Sequence, residues 1–364
     1  MKSRARAVCK TRKGRPCIRL ATELGRRIAA GRFAAGAYLP PERELASTHG
    51  VAPMTARRAL KVLERGGLIV AEPRRGYRVL GRANDPAKGA PIAYVLPGSA
   101  GEHAAADGFS APVLNELQRA SARNGWSLLA VDPEGRTDAE VIEQLRVGRA
   151  CGVILGAINR ELLARIREAG IPVITDDAWP EDVEVDAVMQ DGFRGGMVAA
   201  SWLVSRGHRR IAFLGPPVTG ARPQIVERYS GALGALARAE LERPETVRAA
   251  GDADAEAKAV ELLSRPDRPT GILALWRDIA VGTVRAARRL GLVIGQDLDI
   301  VGWSTAESYE TGFRQILSGG EVPPAVVWSV RELADTAIAR IEERRMNPGL
   351  PIIHLRIPVR LRLE

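Results

Sequence analysis

From Pro91 onward the sequence alternates short apolar runs with amphipathic stretches, and this alternation restricts the fold more than any other feature. Apolar runs occur at 92–96, 127–131, 152–155, 173–175, 211–214, 271–275 and 300–302. Between them lie stretches with helical spacing, among them 113–123, 139–145, 160–169, 195–205, 224–239 and 279–290. Strand and helix in strict alternation specify a parallel, doubly wound α/β sheet. Two such sets of about 120 residues predict two lobes over residues 91–364. In such sheets ligands bind beyond the carboxyl ends of the strands, near topological switch points.

Charge divides the chain in the same place. The first eighty residues carry 19 Lys and Arg against five Glu and no Asp, a local charge of +14, while the whole chain is +10. The remainder is therefore slightly acidic. Such a basic end is suited to a phosphate backbone, which attracts cations through counterion release. Residues 1–16 are basic without periodicity and are expected to form a disordered arm. Residues 81–90, rich in Gly, Pro and small residues, read as a linker. No apolar run is long enough to span a bilayer, and no apolar stretch of signal-peptide length follows the basic start. The expectation is a cytoplasmic protein without membrane contact. Three scattered cysteines, Cys9, Cys17 and Cys151, suit a reducing compartment. Neither these nor the four histidines have metal-ligand spacing, and no cofactor is expected.

Within residues 17–80 the spacing predicts three helices and a hairpin. Leu20, Leu24 and Ile28 recur every fourth residue before Gly31. A short helix follows, with Pro41 at its first position, Leu45 and Ala46 facing inward, and Gly50 as its C-terminal cap. A third helix starts at Pro53. Its apolar face is Ala56, Ala59, Leu60 and Leu63, and its other face carries Thr55, Arg57, Arg58, Lys61 and Arg65. Two strands, 68–70 and 77–80, flank a turn at Pro73-Arg74-Arg75-Gly76. Two short helices, a tight turn and a basic second helix make a helix-turn-helix, and the hairpin adds a wing.

These residues resemble the GntR family. Its pattern of "L-P-x-E-R-E-L-A", "V-S-R-x-T-V-R-x-A-L" and a wing with "R-x-G" is met by Leu39–Ala46, Val51–Leu60 and Arg75-Gly76. The resemblance implies that Arg43, Thr55 and Arg57 meet phosphates and base edges, with Arg74, Arg75 and Gly76 in the minor groove. Arg58 and Lys61 share the basic face of the third helix. Two departures stand out. Ala52 replaces the family's Ser, a weaker N-cap by about 1 kcal/mol, and Pro53 replaces an Arg that usually contacts DNA.

In the second part, tryptophans follow strand ends: Trp276 after 271–275, Trp303 after 300–302, and Trp179 four residues past Thr175. Indoles at strand ends can line a cleft and pack on the C–H faces of a sugar, and Asp176, Asp177, Arg277 and Asp278 stand beside them. Trp126, Trp202 and Trp328 read as packing residues. This part resembles the effector domain of the LacI/GalR family, which is similar to periplasmic sugar-binding proteins. The resemblance rests on Asp191-Gly192-Phe193-Arg194-Gly195-Gly196, on 207–215 ("G-H-R-x-I-A-x-[IL]-x-G"), on Arg228-Tyr229-Ser230-Gly231 and on 299–303. It implies ligand roles for Asp176 and Arg228, with Arg222 a weaker candidate. The histidine of 207–209 sits at a helix-to-strand turn and reads as structural. The family's usual Asn-Asp is Arg277-Asp278 here, and its Gly-Phe-Asp is Gly302-Trp303-Ser304. A cation gained and an acid lost favour a more anionic effector.

The expected function is a non-enzymatic transcriptional regulator, a repressor. A homodimer binds a double-stranded DNA operator, and a sugar-like effector between the lobes controls it. The sugar expectation comes from the resemblance to arabinose-type repressors, which join the same two parts. The alternatives are a solute-binding protein for uptake, which the basic head opposes, and a regulator with a non-sugar anionic effector. An enzyme lacks support: no Lys lies in a pyridoxal-type context, and Lys258 falls among Ala and Glu.

Overall fold

The computed structural model describes residues 14–29, 32–34, 36–65, 68–72, 75–79, 90–97, 110–157, 159–177, 183–218, 223–309, 312–313, 317 and 322–363. Residues 1–13 of the expected arm, residues 81–89 of the expected linker, Arg74, Trp179 and Arg222 lie outside the described residues. The chain forms two units, one built on the residues before Ala90 together with Glu343–Leu350, the other on Ala90–Glu342 and Pro351–Glu364.

The first unit contains α1 (Gly14–Ala29), α2 (Glu42–Thr48), α3 (Pro53–Arg65), β1 (Ile69–Glu72) and β2 (Gly76–Val79). Helix α1 starts inside the segment expected as an arm, and Pro16 falls in its first turn, where proline is tolerated. Pro41 is the N-cap of α2 and not its first helical residue, and it offers no side-chain cap. The end of α2 is well made. Gly50 has φ +60, its N–H donates to the Ser47 carbonyl, and the Val51 N–H donates to the Ala46 carbonyl. This is a Schellman ending, and it turns the chain directly into α3. Ala52 caps α3 with its backbone alone, its carbonyl accepting from Thr55 N and Ala56 N at 2.8 and 3.2 Å. Ala56, Ala59, Leu60 and Leu63 are buried against Leu20, Leu24 and Leu45. The hairpin pairs Ile69 with Val79, and Tyr38 joins it by an antiparallel bridge to Arg78.

The second unit has two six-stranded sheets. Lobe 1 contains β3 (Ile92–Val95), α4 (Ser110–Arg123), β4 (Leu128–Val131), α5 (Asp138–Val147), β5 (Gly152–Leu155), α6 (Arg160–Glu168), β6 (Val173–Asp176) and β7 (Asp186–Gln190). Lobe 2 contains α7 (Gly192–Ser205), β8 (Ile211–Gly215), α8 (Pro223–Arg238), β9 (Glu245–Arg248), α9 (Gly251–Leu263), β10 (Gly271–Ala274), α10 (Arg277–Arg289), β11 (Asp299–Thr305) and β12 (Ala325–Trp328). The chain then returns to lobe 1 with α11 (Val330–Met346) and β13 (His354–Ile357), and ends in lobe 2 with β14 (Arg360–Arg362). The strand orders are β13-β7-β6-β5-β3-β4 and β14-β12-β11-β10-β8-β9. All pairings are parallel except β12 with β14. Strands such as β3, β5 and β6 are buried throughout, as parallel strands covered by helices on both faces must be.

Three crossings join the lobes, at 190–192, 328–330 and 357–360. Helix α11 is seated on lobe 1 by Ile341, which fills the space over Gly152, and by a buried Arg340–Asp186 ion pair at 2.8 Å. Strand β11 runs through Thr305, so Trp303 lies inside a strand, opposite Val326 of β12, and not past a strand end. Among the described residues no helix is long and apolar enough to cross a membrane.

Candidate DNA interface and ligand cleft

In the first unit the polar residues of α3 share one exposed face. Arg57, Arg58 and Lys61 are exposed and Thr55 is half-buried, while Arg43 is exposed on α2. The Arg57 Nε lies 3.5 Å from Glu42 Oε1, an exposed pair of small energetic weight. The wing is braced at its root. Glu72 accepts hydrogen bonds from the Tyr38 hydroxyl and from Arg78 Nε, and these donors hold its carboxyl below the usual range. Arg75 donates to the Tyr38 hydroxyl at 3.5 Å. Gly76 starts β2 with φ +101, a conformation that suits glycine. The basic helix face and the Arg75-Gly76 tip are thus held on one small core, while Arg74 lies outside the described residues.

In the second unit the packing of α7 on α8 sets the site. A Cβ at Gly196 would fall 1.9 Å from the Arg228 carbonyl oxygen, and one at Gly231 would fall 1.9 Å from the Phe193 carbonyl oxygen. The two helices therefore meet backbone to backbone. A Cβ at Gly195 would lie 2.3 Å from the Trp303 ring. The Asp191–Gly196 stretch has a mechanical reading: Asp191 caps α7 by accepting from Arg194 N at 3.0 Å, Gly195 admits the indole, and Gly196 admits α8.

This packing buries Arg228 to 1% exposure. Its guanidinium lies between two indoles, 4.2 Å from the Trp276 ring centre and 4.0 Å from that of Trp303, and its Nη1 donates to the Leu275 carbonyl at 2.8 Å. Each cation–π contact of a desolvated guanidinium is worth about 0.5–2 kcal/mol. Trp303 Nε1 donates to Gln190 Oε1 at 2.5 Å across the lobes. Gln190 in turn donates to Asp177 from its amide at 3.0 Å and its backbone at 3.3 Å. Asp177 has φ +49, which turns the chain sharply after β6. Next to it, Asp176 accepts from the Tyr94 hydroxyl at 3.2 Å. Burial, then the Asp177 charge, pushes the Asp176 carboxyl well above its usual range, against the Tyr94 hydrogen bond. Burial also raises Asp177, opposed by the Arg228 charge and the Gln190 bonds. A second cross-lobe tie lies alongside, where Arg356 of β13 grips Glu227 of α8 bidentately at 2.6 and 2.8 Å.

The structure thus brings Arg228, Trp276 and Trp303 together and links them across the lobes, through Gln190, to Asp177, the neighbour of Asp176. Arg277 and Asp278 open α10 directly after Trp276. The Arg277 guanidinium packs at Gly312, and Asp278 Oδ1 accepts its neighbour's Ile279 N–H at 2.9 Å. Tyr94 and Gln190 were not legible as site residues. Tyr94 is one hydroxyl in an apolar strand, and Gln190 differs from other polar residues only in directly preceding the lobe crossing. His208 bridges Thr270 and Asp299 at 2.9 and 2.7 Å, tying the starts of β10 and β11. Its partners are those of a structural brace.

Residues 18–79 match the family described as "Bacterial regulatory proteins, gntR family", and residues 200–362 match "Periplasmic binding protein-like domain". The chain joins these two parts. It is 33% identical over 194 residues to the HTH-type transcriptional repressor PurR of Escherichia coli O139:H28 (strain E24377A / ETEC), covering 51% of this chain and 54% of that protein. The chain spans about 54–62% of the length of the first curated relatives it matches. Among solved structures, a regulatory protein of LacI family from Chloroflexus aggregans superposes with TM-score 0.61 at 25% identity, covering 75% of this chain and 97% of that one. A LacI family transcriptional regulator from Enterococcus faecium, solved with bound ribose, gives TM-score 0.61 at 21% identity over 75% and 96%.

Proposed function

We propose that this chain is a DNA-binding transcriptional regulator, a repressor, whose affinity for its operator is set by a small molecule held between the two lobes. The observation that carries the reading is the union on one chain of a basic winged helix-turn-helix with a two-lobed domain. In that domain Arg228 is buried between two indoles, and one of them, Trp303, is tied across the lobes through Gln190 to Asp177. A binding protein for uptake has no use for the head, and the curated relatives are named repressors.

Arg43, Thr55, Arg57, Arg58 and Lys61 engage one major groove and its phosphates, and Arg74, Arg75 and Gly76 follow the adjoining minor groove. Phosphate contacts supply affinity, and base-edge contacts from α3 supply choice. A homodimer places two such heads on a pseudo-palindromic site. In the body, Asp176, Arg228, Trp276 and Trp303 hold a sugar-like effector, as the ribose-bound neighbour suggests. Effector and DNA are coupled sites, so each changes the other's affinity by the same factor. The protein acts in the cytoplasm, on a double-stranded DNA operator, and carries out no chemistry.

Fluorescence anisotropy with the DNA upstream of the chain's own gene tests this. Binding in the nanomolar to micromolar range, falling steeply with salt, is expected. Binding that ignores salt, or none, refutes the DNA role.

A further inference from the structure

The first turn of α3 presents apolar surface at the end that a recognition helix turns to the bases. Ala52, Pro53 and Met54 are exposed in succession, and Met54 keeps 57% of its surface in water. Among the described residues of the first unit, the exposed large apolar side chains are Ile18, Tyr38 and Met54. Tyr38 has its hydroxyl bound to Glu72, and Ile18 lies on α1. Met54 alone stands on α3.

The face around Met54 is cationic. Met54, Arg58 and Lys61 follow at i, i+4 and i+7, so they form one stripe along the helix, and all three are exposed. Arg57, also exposed, adjoins the stripe. Cations beside an apolar tip fit a polyanion whose groove carries apolar groups, and duplex DNA has phosphates outside and base edges within.

The tip has little hydrogen-bonding capacity. Ala52 has no polar side-chain atom, and its carbonyl already accepts from the Thr55 and Ala56 amides. Pro53 has no backbone N–H. Met54 ends in a thioether, a weak acceptor. None of the three can give the paired hydrogen bonds by which guanine or adenine is read. The apolar group on a base-pair edge in the major groove is the C5 methyl of thymine. Methionine, flexible and polarisable, adapts its shape to such a group.

On the reading of α3 as the helix that enters the major groove, we propose that Met54 is a specificity-determining residue that packs on the C5 methyl of a thymine in the operator. Pro53, where an arginine was expected, then belongs to a contact of a different kind. Choice at that base pair comes from burial of a methyl group, not from hydrogen bonds.

The experiment starts from duplexes selected out of a random pool by the full-length chain. Each thymine of the selected site is replaced in turn by deoxyuridine, which lacks only the methyl, and affinity is read by fluorescence anisotropy. One thymine, with its symmetry mate, should lose about threefold to fivefold, the worth of burying one methylene-sized group. At that position 5-methylcytosine paired with guanine should exceed unmethylated cytosine by a similar factor. Met54→Ala should bind the thymine and deoxyuridine duplexes equally while keeping the wild-type salt dependence, and Met54→Leu should keep the discrimination. Because Met54 is exposed, Met54→Ala should melt within about 2–4 °C of the wild type. Deoxyuridine tolerated at every position, equal binding of the two cytosines, or discrimination that survives in Met54→Ala overturns the proposal. Failure to enrich any duplex, or binding indifferent to salt, refutes the regulator reading itself. Salt-dependent binding without methyl discrimination refutes only the Met54 contact.

Discussion

Gly196→Ala isolates the contact that places Arg228. The added Cβ would sit 1.9 Å from the Arg228 carbonyl oxygen, 2.8 Å from its carbon and 3.1 Å from Ala232 N. Non-bonded heavy atoms prefer about 3.5–4.0 Å, so α7 and α8 must separate by roughly 1.5 Å. All three atoms are backbone, so no side chain can rotate away. Alanine gains about 1 kcal/mol over glycine in a helix interior, while overpacking of this kind costs about 1–3 kcal/mol and sometimes more. Because the clash is with backbone, the upper part of that range applies, and the net is a loss of about 1–3 kcal/mol. For a domain of this size that lowers Tm by about 3–9 °C. Gly234→Ala is the control on the partner helix. Its Cβ would meet nothing nearer than the Phe193 ring at 4.0 Å, so it should gain about 0.4–1 kcal/mol and raise Tm by about 1–4 °C. Thermal unfolding followed by circular dichroism reads both. A Gly196→Ala protein that melts at or above the Gly234→Ala protein would refute the backbone-to-backbone account of α7 and α8.

Other consequences are as direct. Asp176 has its folded-state pKa raised, so above the unfolded value of about 4 the folded chain binds more protons than the unfolded one, and stability falls as pH rises through the folded pKa. Asp176→Asn removes that loss, so its Tm advantage over wild type should grow from pH 4 to pH 8. A constant gap, or a deficit at pH 8, contradicts it. His208→Ala strips a hydrogen-bond partner from Thr270 and Asp299 and should cost about 1–3 kcal/mol in thermal unfolding while leaving DNA affinity unchanged. Altered ligand affinity with unaltered Tm would show a functional histidine instead. Arg57→Ala should weaken operator binding by about 1–3 kcal/mol and relax base choice, checked by anisotropy with single-base operator variants. Equal loss on all sequences would limit Arg57 to phosphate contact.

Much of this architecture was legible in the sequence because its signals are local. The apolar face of α3 could be read from helical spacing, and the glycine ending of α2 from Gly50. Buried parallel strands such as β5 announce themselves as short apolar runs bounded by turns. The strands not read were of two kinds. Strand β9, Glu-Thr-Val-Arg, and strands β13 and β14 are edge strands whose charged residues face water, so their pattern is weak. Strands β7 and β12 are buried but abut the lobe crossings, where helix and strand signals run together. In the site, Arg228 and Trp303 carried a motif or an aromatic ring. Tyr94 and Gln190 carried neither, and only tertiary packing shows that they meet Asp176 and Asp177. The packing of the Arg277 guanidinium at Gly312 is likewise a tertiary contact that its neighbours in sequence do not announce.

The most direct measurement is the dissociation constant of the full-length chain for its own upstream DNA, taken between 50 and 200 mM salt with and without a cleft ligand, on the order-of-magnitude expectation of about 10³–10⁵-fold loss for six to ten phosphate contacts. A linear fall of log affinity with log salt is expected, and a shift of the whole line when ligand is present. DNA affinity that is indifferent to salt, or a line that ligand leaves in place, would contradict the claim that this chain couples a DNA-binding head to a ligand-reading body.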